Sequence, residues 1–176
     1  MTKRKNKILK NIEVLLLDVD GVLTDGSVYV DRFGNELLRF SRIDGKGLEL
    51  IKEANIKVAI LSSENCLAAK RRAEKLKVDL AAFGVKDKLE TYYSWKRKFK
   101  FDDSKVLFCC DDIQDLELMN IVGFSAVPSN AVDEVKEKAD YVSKKKGGEG
   151  FVREICDMIL NVKRRKSGEK RDKNWK

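Results

Sequence analysis

Residues 12–25 read Ile-Glu-Val-Leu-Leu-Leu-Asp-Val-Asp-Gly-Val-Leu-Thr-Asp, and both fold and chemistry turn on them. Ile12–Leu17 is a short apolar run of the kind that forms a buried strand. The run stops at Asp18, and a second carboxylate, Asp20, follows two residues later. Two residues apart at a strand end places both on one side of the pleat. Gly21 then permits a sharp exit. Carboxylates this close repel, so the arrangement is costly unless a cation lies between them or one carries a proton.

The same pattern recurs along the chain. Ile56–Leu61, Val78–Ala82, Val106–Cys110, Phe124–Val127 and Tyr141-Val142 read as further strands. Helical segments separate them, at Leu48–Ala54, Cys66–Leu76, Lys88–Lys98, Ile113–Ile121 and Val132–Lys138, with a last helix over Gly150–Leu160. Val28–Val30 and Glu36–Phe40 flank a turn carrying Gly34, which is a hairpin signal. The alternation predicts an α/β fold, a Rossmann-like parallel sheet with helices on both faces, plus a β-hairpin after the first strand. In such sheets reactive groups gather at the carboxyl ends of the strands. The residues just past the strands are Asp18 and Asp20, then Ser62 and Ser63, then Asp111 and Asp112, with Lys88 shortly after the third strand. Oxygen ligands favour a hard cation, and Mg²⁺ is the usual choice beside a phosphate. Asp111 can complete that site. Ser62 offers a hydroxyl and Lys88 a fixed cation to a transferring phosphoryl group.

The chain has 176 residues, enough for one domain with a sizeable core. It contains no histidine, which excludes Ser-His-Asp, Cys-His and His-ligated metal chemistry. No run of about 18 apolar residues is present, so no membrane span is expected, and the apolar run ending at Leu17 is too short and too soon interrupted for a signal peptide. The four cysteines form no C-x-x-C pair and read as core residues in a reducing compartment. The net charge of +8 resides in the ends: residues 1–10 carry +5 and residues 161–176 carry +6, around a body at −3. The expectation is a domain over 11–160 between two solvated, mobile basic tails. RNA binding through those tails is the rival that such charge raises.

With these residues in order, the chain resembles the haloacid dehalogenase superfamily of phosphatases. The signature is Asp-x-Asp-Gly-Val-x-Thr at 18–24, Ser62, Lys88 and the pair Asp111-Asp112. The likeness is closer to the small, capless branch that contains the 3-deoxy-octulosonate 8-phosphate phosphatases. It is carried by Leu17–Gly26, Asp44-Gly45-Lys46-Gly47, Arg72 with Leu76, and Gly147–Glu154. The resemblance implies that Asp18 attacks phosphorus and forms an aspartyl-phosphate, and that Asp20 protonates the leaving group and then activates water. It implies Mg²⁺ on the Asp18 carboxylate, the Asp20 carbonyl and Asp111, phosphoryl oxygens on Ser62 and Lys88, and Asp112 and Asp115 behind them. Spacing agrees with the absence of a cap, since 43 residues separate Asp18 from Ser62 and 25 separate Ser62 from Lys88.

The resembled branch forms tetramers joined through the hairpins, and a neighbour covers each site. On that analogy Gly147–Arg153 closes the adjacent subunit's pocket, and Arg153 meets the substrate. Departures bear on the substrate. Ser62-Ser63-Glu64 stands where octulosonate enzymes read Thr-Gly-Arg, which reverses one charge. Glu64 with Arg72 and Lys75 resembles the phosphatases of nine-carbon ulosonic acids, and a glutamate can accept hydrogen bonds from a longer polyol. Cys110 and Ser63 replace glycines. The expectation is therefore a cytoplasmic, Mg²⁺-dependent phosphatase of a nonulosonate 9-phosphate, with 3-deoxy-octulosonate 8-phosphate as the alternative. A non-catalytic member of the fold is the rival, and the clustered carboxylates argue against it. Neither a membrane nor a nucleic acid is expected as partner.

Overall fold

The computed structural model describes residues 2–167. Eight strands are present among them: β1 (Val14–Leu17), β2 (Thr24–Val30), β3 (Glu36–Phe40), β4 (Lys57–Leu61), β5 (Leu80–Ala82), β6 (Val106–Cys109), β7 (Phe124–Val127) and β8 (Tyr141–Val142). The helices are α1 (Lys3–Asn11), α2 (Arg42–Glu53), α3 (Leu67–Leu76), α4 (Lys88–Phe99), α5 (Leu116–Ile121), α6 (Asp133–Lys138) and α7 (Phe151–Ser167). Six strands make one sheet in the order β5-β4-β1-β6-β7-β8, with every neighbouring pair parallel. β2 and β3 pair antiparallel, apart from it.

Alternation along the strands sorts the core into two layers. Leu15 and Leu17 of β1, with Val58, Ile60, Leu107 and Cys109 of its neighbours, pack against α1, α2, α3 and α7. Leu16, Ala59, Leu61 and Phe108 face the other way, against α4, α5 and α6. Both faces of β1 are covered, which is why Val14–Leu17 is continuously apolar. Strand order reverses at β1: the chain winds outward through β4 and β5, then crosses back to β6 and continues to β8. Such a reversal leaves a crevice at the carboxyl ends of the central strands, and Asp18 and Asp111 stand there.

Three elements differ from the sequence expectation. Residues 1–10 were expected as a mobile tail, but Lys3–Asn11 form α1, capped by the Thr2 hydroxyl accepting from the Lys5 N–H. Its apolar face holds: Leu9 is fully buried in the layer shared with α7, so the basic residues line the solvent side of a packed helix. At the other end α7 runs on to Ser167, beyond Leu160; the remainder of the expected C-terminal tail, 168–176, lies outside the described residues. α2 begins at Arg42 rather than Leu48, despite Gly45 and Gly47. Those glycines serve close packing. A Cβ on Gly45 would stand 2.7 Å from the Arg72 guanidinium, and one on Gly47 would stand 3.0 Å from the Arg153 Cα.

All four cysteines are buried and unpaired. Among the described residues no helix is long and apolar enough to cross a membrane. The hairpin carries several of the exposed large apolar side chains, with Tyr29 58%, Val30 65% and Phe33 74% exposed.

Because α1 is anchored by Leu9, Leu9→Ala is expected to lower stability by about 2–5 kcal/mol. Urea unfolding checks this, and a loss within about 0.5 kcal/mol would mean that the helix lies loosely on the core.

Candidate active site

The site is assembled from three strand ends and one helix start. β1 delivers Asp18, 4% exposed, and the following Val19 N–H donates to its Oδ1 at 2.7 Å. The chain then turns through Asp20 and Gly21, and Thr24 ties the turn together. Its Oγ1 accepts from the Gly21 N–H (3.3 Å) and the Gly26 N–H (3.2 Å) and donates to the Val19 carbonyl (3.4 Å). Gly21 has φ of +70°, and a Cβ there would lie 1.9 Å from Asp111 Oδ2. A side chain is therefore excluded twice, by conformation and by the carboxylate beneath.

Lys88, the first residue of α4 and 6% exposed, reaches under this turn. Its Nζ donates to Asp18 Oδ2 at 2.6 Å and to Asp115 Oδ1 at 2.8 Å. Burial pulls the ammonium's pKa down, but the two carboxylates together outweigh it and hold it above its ordinary value. Asp115 is fully buried, and its Oδ2 has no hydrogen-bond partner. Burial, and then the charge of Asp18, push the Asp115 carboxyl upward while Lys88 pulls it back. Burial and the charges of Asp18, Asp115 and Asp112 raise Asp111 to about 7. Asp20 is raised by burial first, then by Asp18 and Glu64.

Carboxylate oxygens of Asp18, Asp111 and Asp115 lie within 4.8 Å of one another. One ammonium cannot neutralise this set. The orphaned Asp115 oxygen, the raised carboxyls and the all-oxygen donor set fit a small, hard divalent cation.

A cavity of about 240 Å³ opens above these groups, and Asp18, Asp20, Ser62, Glu64, Asp111 and Asp112 line it. Ser62 is buried at the end of β4, with its Oγ accepting from the Glu64 N–H at 3.2 Å. Asp112 is exposed at the mouth, where its Oδ1 caps the short 3-10 turn Ile113–Asp115. The structure thus brings Asp18, Asp20, Ser62, Lys88, Asp111, Asp112, Asp115 and Glu64 together.

Three sequence candidates do not join them. Arg72 donates to the Ser41 carbonyl at 2.9 Å and lies over the Phe40 ring. Lys75 is exposed in the last turn of α3 and lines no part of the cavity. Arg153 is held by both oxygens of Asp157 at 3.0 Å. Within its own chain the Gly147–Arg153 segment packs against the turn that follows β1. The Gly148 N–H donates to the Val22 carbonyl at 3.0 Å. A Cβ on Gly147 would lie 1.8 Å from the Gly21 carbonyl oxygen. Buried Asp44 accepts from the Gly150 and Arg153 N–H groups at 3.2 and 2.8 Å. The glycines exist so that this backbone can lie against the turn that carries Asp20.

Two residues were missed. Asn130 donates from Nδ2 to the Gly21 carbonyl (3.1 Å) and accepts the Gly147 N–H (2.7 Å), joining turn and brace. It lies just past β7, so the strand-end rule that found Ser62 and Asp111 could have found it. Gln114 lines the cavity and accepts from Ser63 Oγ at 3.3 Å. The two replaced glycines are accommodated: Ser63 in that bond, Cys110 in the core beside Met119 at 3.7 Å.

A carboxyl raised in the folded state stabilises below its unfolded pKa and loses that contribution as pH climbs through the folded value. The metal-free protein is therefore expected to melt at lower temperature as pH rises from 5 to 7. Asp111→Asn should flatten the slope. Calorimetry in chelator checks this, and a wild-type midpoint that rises over that range would contradict it.

Comparison with known proteins agrees with this geometry. A family model described as haloacid dehalogenase-like hydrolase matches residues 78–155. The 3-deoxy-D-manno-octulosonate 8-phosphate phosphatase KdsC of Yersinia pestis is 36% identical over 150 residues, spanning 85% of this chain and 80% of that protein. The crystal structure of the Yersinia pestis phosphatase superposes with a TM-score of 0.91 at 33% identity, covering 96% of this chain and 91% of the other. The Moraxella catarrhalis phosphatase, solved with magnesium, phosphate and KDO, gives a TM-score of 0.89 at 30% identity, covering 93% and 94%.

Proposed function

The chain belongs to the haloacid dehalogenase-like hydrolase family and is a phosphoric monoester hydrolase, and from that premise we propose that it cleaves the phosphate from a 3-deoxy-2-keto sugar acid, a nonulosonate 9-phosphate. The observation that carries the chemistry is the buried Asp18–Lys88–Asp115 triad, whose Asp18 lines an acidic cavity at the switch point of the sheet. Glu64 supports the nine-carbon choice, since it lines that cavity beside Asp20. The second reading, 3-deoxy-octulosonate 8-phosphate, is favoured by the activity of the relatives.

Asp18 is the nucleophile: its carboxylate oxygen bonds to phosphorus as the bond to the leaving alkoxide breaks. Lys88 holds the other oxygen of that carboxylate and fixes its orientation. Two of its three N–H groups serve Asp18 and Asp115, which leaves one for a phosphoryl oxygen. Asp20, with its carboxyl raised, supplies the proton to the leaving alkoxide, then takes one from the water that opens the aspartyl-phosphate. Ser62 offers its hydroxyl to the phosphoryl group. The cofactor is Mg²⁺, which the carboxylates of Asp18 and Asp111 would hold, with Asp115 beside them, and to which the Asp20 carbonyl would add, with Asp112 nearby. When bound it neutralises the anions that must converge here.

The active unit in this reading is one capless domain in a cytoplasmic homotetramer. The exposed apolar hairpin supports that assembly, because a two-stranded element with Tyr29, Val30 and Phe33 outward needs cover.

Side-by-side kcat/KM with Mg²⁺ on keto-deoxynonulosonate 9-phosphate, N-acetylneuraminate 9-phosphate and octulosonate 8-phosphate tests the substrate. A nine-carbon substrate is expected to lead by about tenfold, or about 1.4 kcal/mol in the transition state. A lead for the eight-carbon substrate would establish the second reading, and no turnover of any of the three would overturn both.

A further inference from the structure

The phosphate needs only the floor of the catalytic cavity, but a sugar acid needs room and a counter-charge. The catalytic cavity encloses about 240 Å³, less than the ~300 Å³ at which small-molecule sites usually begin. Its charged lining side chains are all carboxylates. The acid group of the substrate would be repelled there, and a divalent cation at the floor is already committed to the phosphate.

Immediately beyond Glu64 the surface opens into a second cavity of about 650 Å³, between the hairpin turn and the first turn of α3. Asn35, Glu36, Asn65 and Arg71 are its polar lining groups. The two cavities are neighbours. Glu64 of the first and Asn65 of the second are consecutive, and Glu36 is close enough for its charge to act on Asp20. Among the described residues Arg71 is the one cation lining either cavity. Arg72 and Arg153, which the resemblance put forward, line neither, being held by the Ser41 carbonyl and by Asp157.

We propose that this second cavity is the subsite for the sugar-acid end of the substrate, with Arg71 binding its carboxylate and Asn35 and Asn65 meeting its hydroxyls. The proposal rests on the phosphatase reading above and names the source of its specificity. Arg71 suits the task. A guanidinium takes a carboxylate through two parallel N–H bonds. Its present partner is Glu74, one turn on at 2.9 Å, and the two side chains are 71% and 63% exposed. Such an exposed pair is weak and is readily exchanged for a substrate carboxylate. Glu36 lines the second cavity and Glu64 the first, and the charges of both act on Asp20. Each can accept from a hydroxyl and each disfavours a second anion, so the carboxylate is directed to Arg71.

The test compares the full-length wild type with Arg71→Ala and Arg71→Lys. Each acts on the eight- and nine-carbon sugar-acid phosphates and on p-nitrophenyl phosphate, which has no carboxylate. The expected result for Arg71→Ala is a KM about tenfold higher on the sugar-acid phosphates, with kcat within twofold and the aryl phosphate unaffected. Lysine should recover part of the loss. A KM unchanged on the sugar acids, or an equal loss on the aryl phosphate, would overturn the subsite. A parallel measurement separates this from the activity itself: inhibition of aryl-phosphate hydrolysis by the free sugar acid should weaken about tenfold in Arg71→Ala. If wild type turns over only the aryl phosphate, the substrate reading fails. The subsite then stands if inhibition shows the Arg71 dependence and falls if it does not.

Discussion

A lysine ammonium buried between two carboxylates is the constraint on which the rest of the structure depends. Lys88, Asp18 and Asp115 are 6%, 4% and 0% exposed. Burying three charges is costly unless they are paired and hydrogen-bonded. Local preference does not put Lys88 there: a helix N-terminus carries partial positive charge and disfavours a cation. The cation is held at the first turn of α4 by the carboxylates that β1 and the Ile113–Asp115 turn bring to it. Without the parallel sheet that aligns those strand ends, nothing would hold the triad; without the triad, burial of Asp18 and Asp115 would be untenable.

The triad leaves negative charge unmet. Asp111 and Asp20 add to it, and the orphaned oxygen of Asp115 marks where compensation is missing. A site of this kind favours whatever brings positive charge, and it tolerates a phosphate only with that charge in place. The surroundings keep the geometry fixed while this happens. Thr24 closes the turn from within, and Asn130 and the Gly147–Gly150 backbone brace it from outside. Asp44 fastens the brace to the start of α2, and Arg39 links Asp25 of the hairpin to Glu149 of the brace at 2.7 and 2.8 Å. The turn carrying Asp20 is thus held from both sides.

Much of this was legible in the sequence because strand ends are legible. An apolar run broken by a polar side chain marks a place where a buried strand meets a site, and Asp18, Ser62 and Asp111 each follow such a run. Lys88 was found by its position past the third strand. What could not be read was long-range pairing. Arg72 and Arg153 look available in a list of cations, yet one serves Ser41 and the other Asp157, bonds that only packing decides. The glycines of the Gly147–Gly150 stretch permit backbone contact with the Gly21 turn, which their sequence alone does not show. The basic N-terminus reads as a tail because its composition hides one anchor, Leu9, which fixes a helix whose other side is rich in lysine.

Asp18 carries the chemistry in this site, and phosphate release from p-nitrophenyl phosphate by Asp18→Asn with Mg²⁺, beside the wild type, puts that to the test. The kcat is expected to fall by about 10³ or more, with circular dichroism unchanged. Activity within about tenfold of wild type in the folded variant would contradict it.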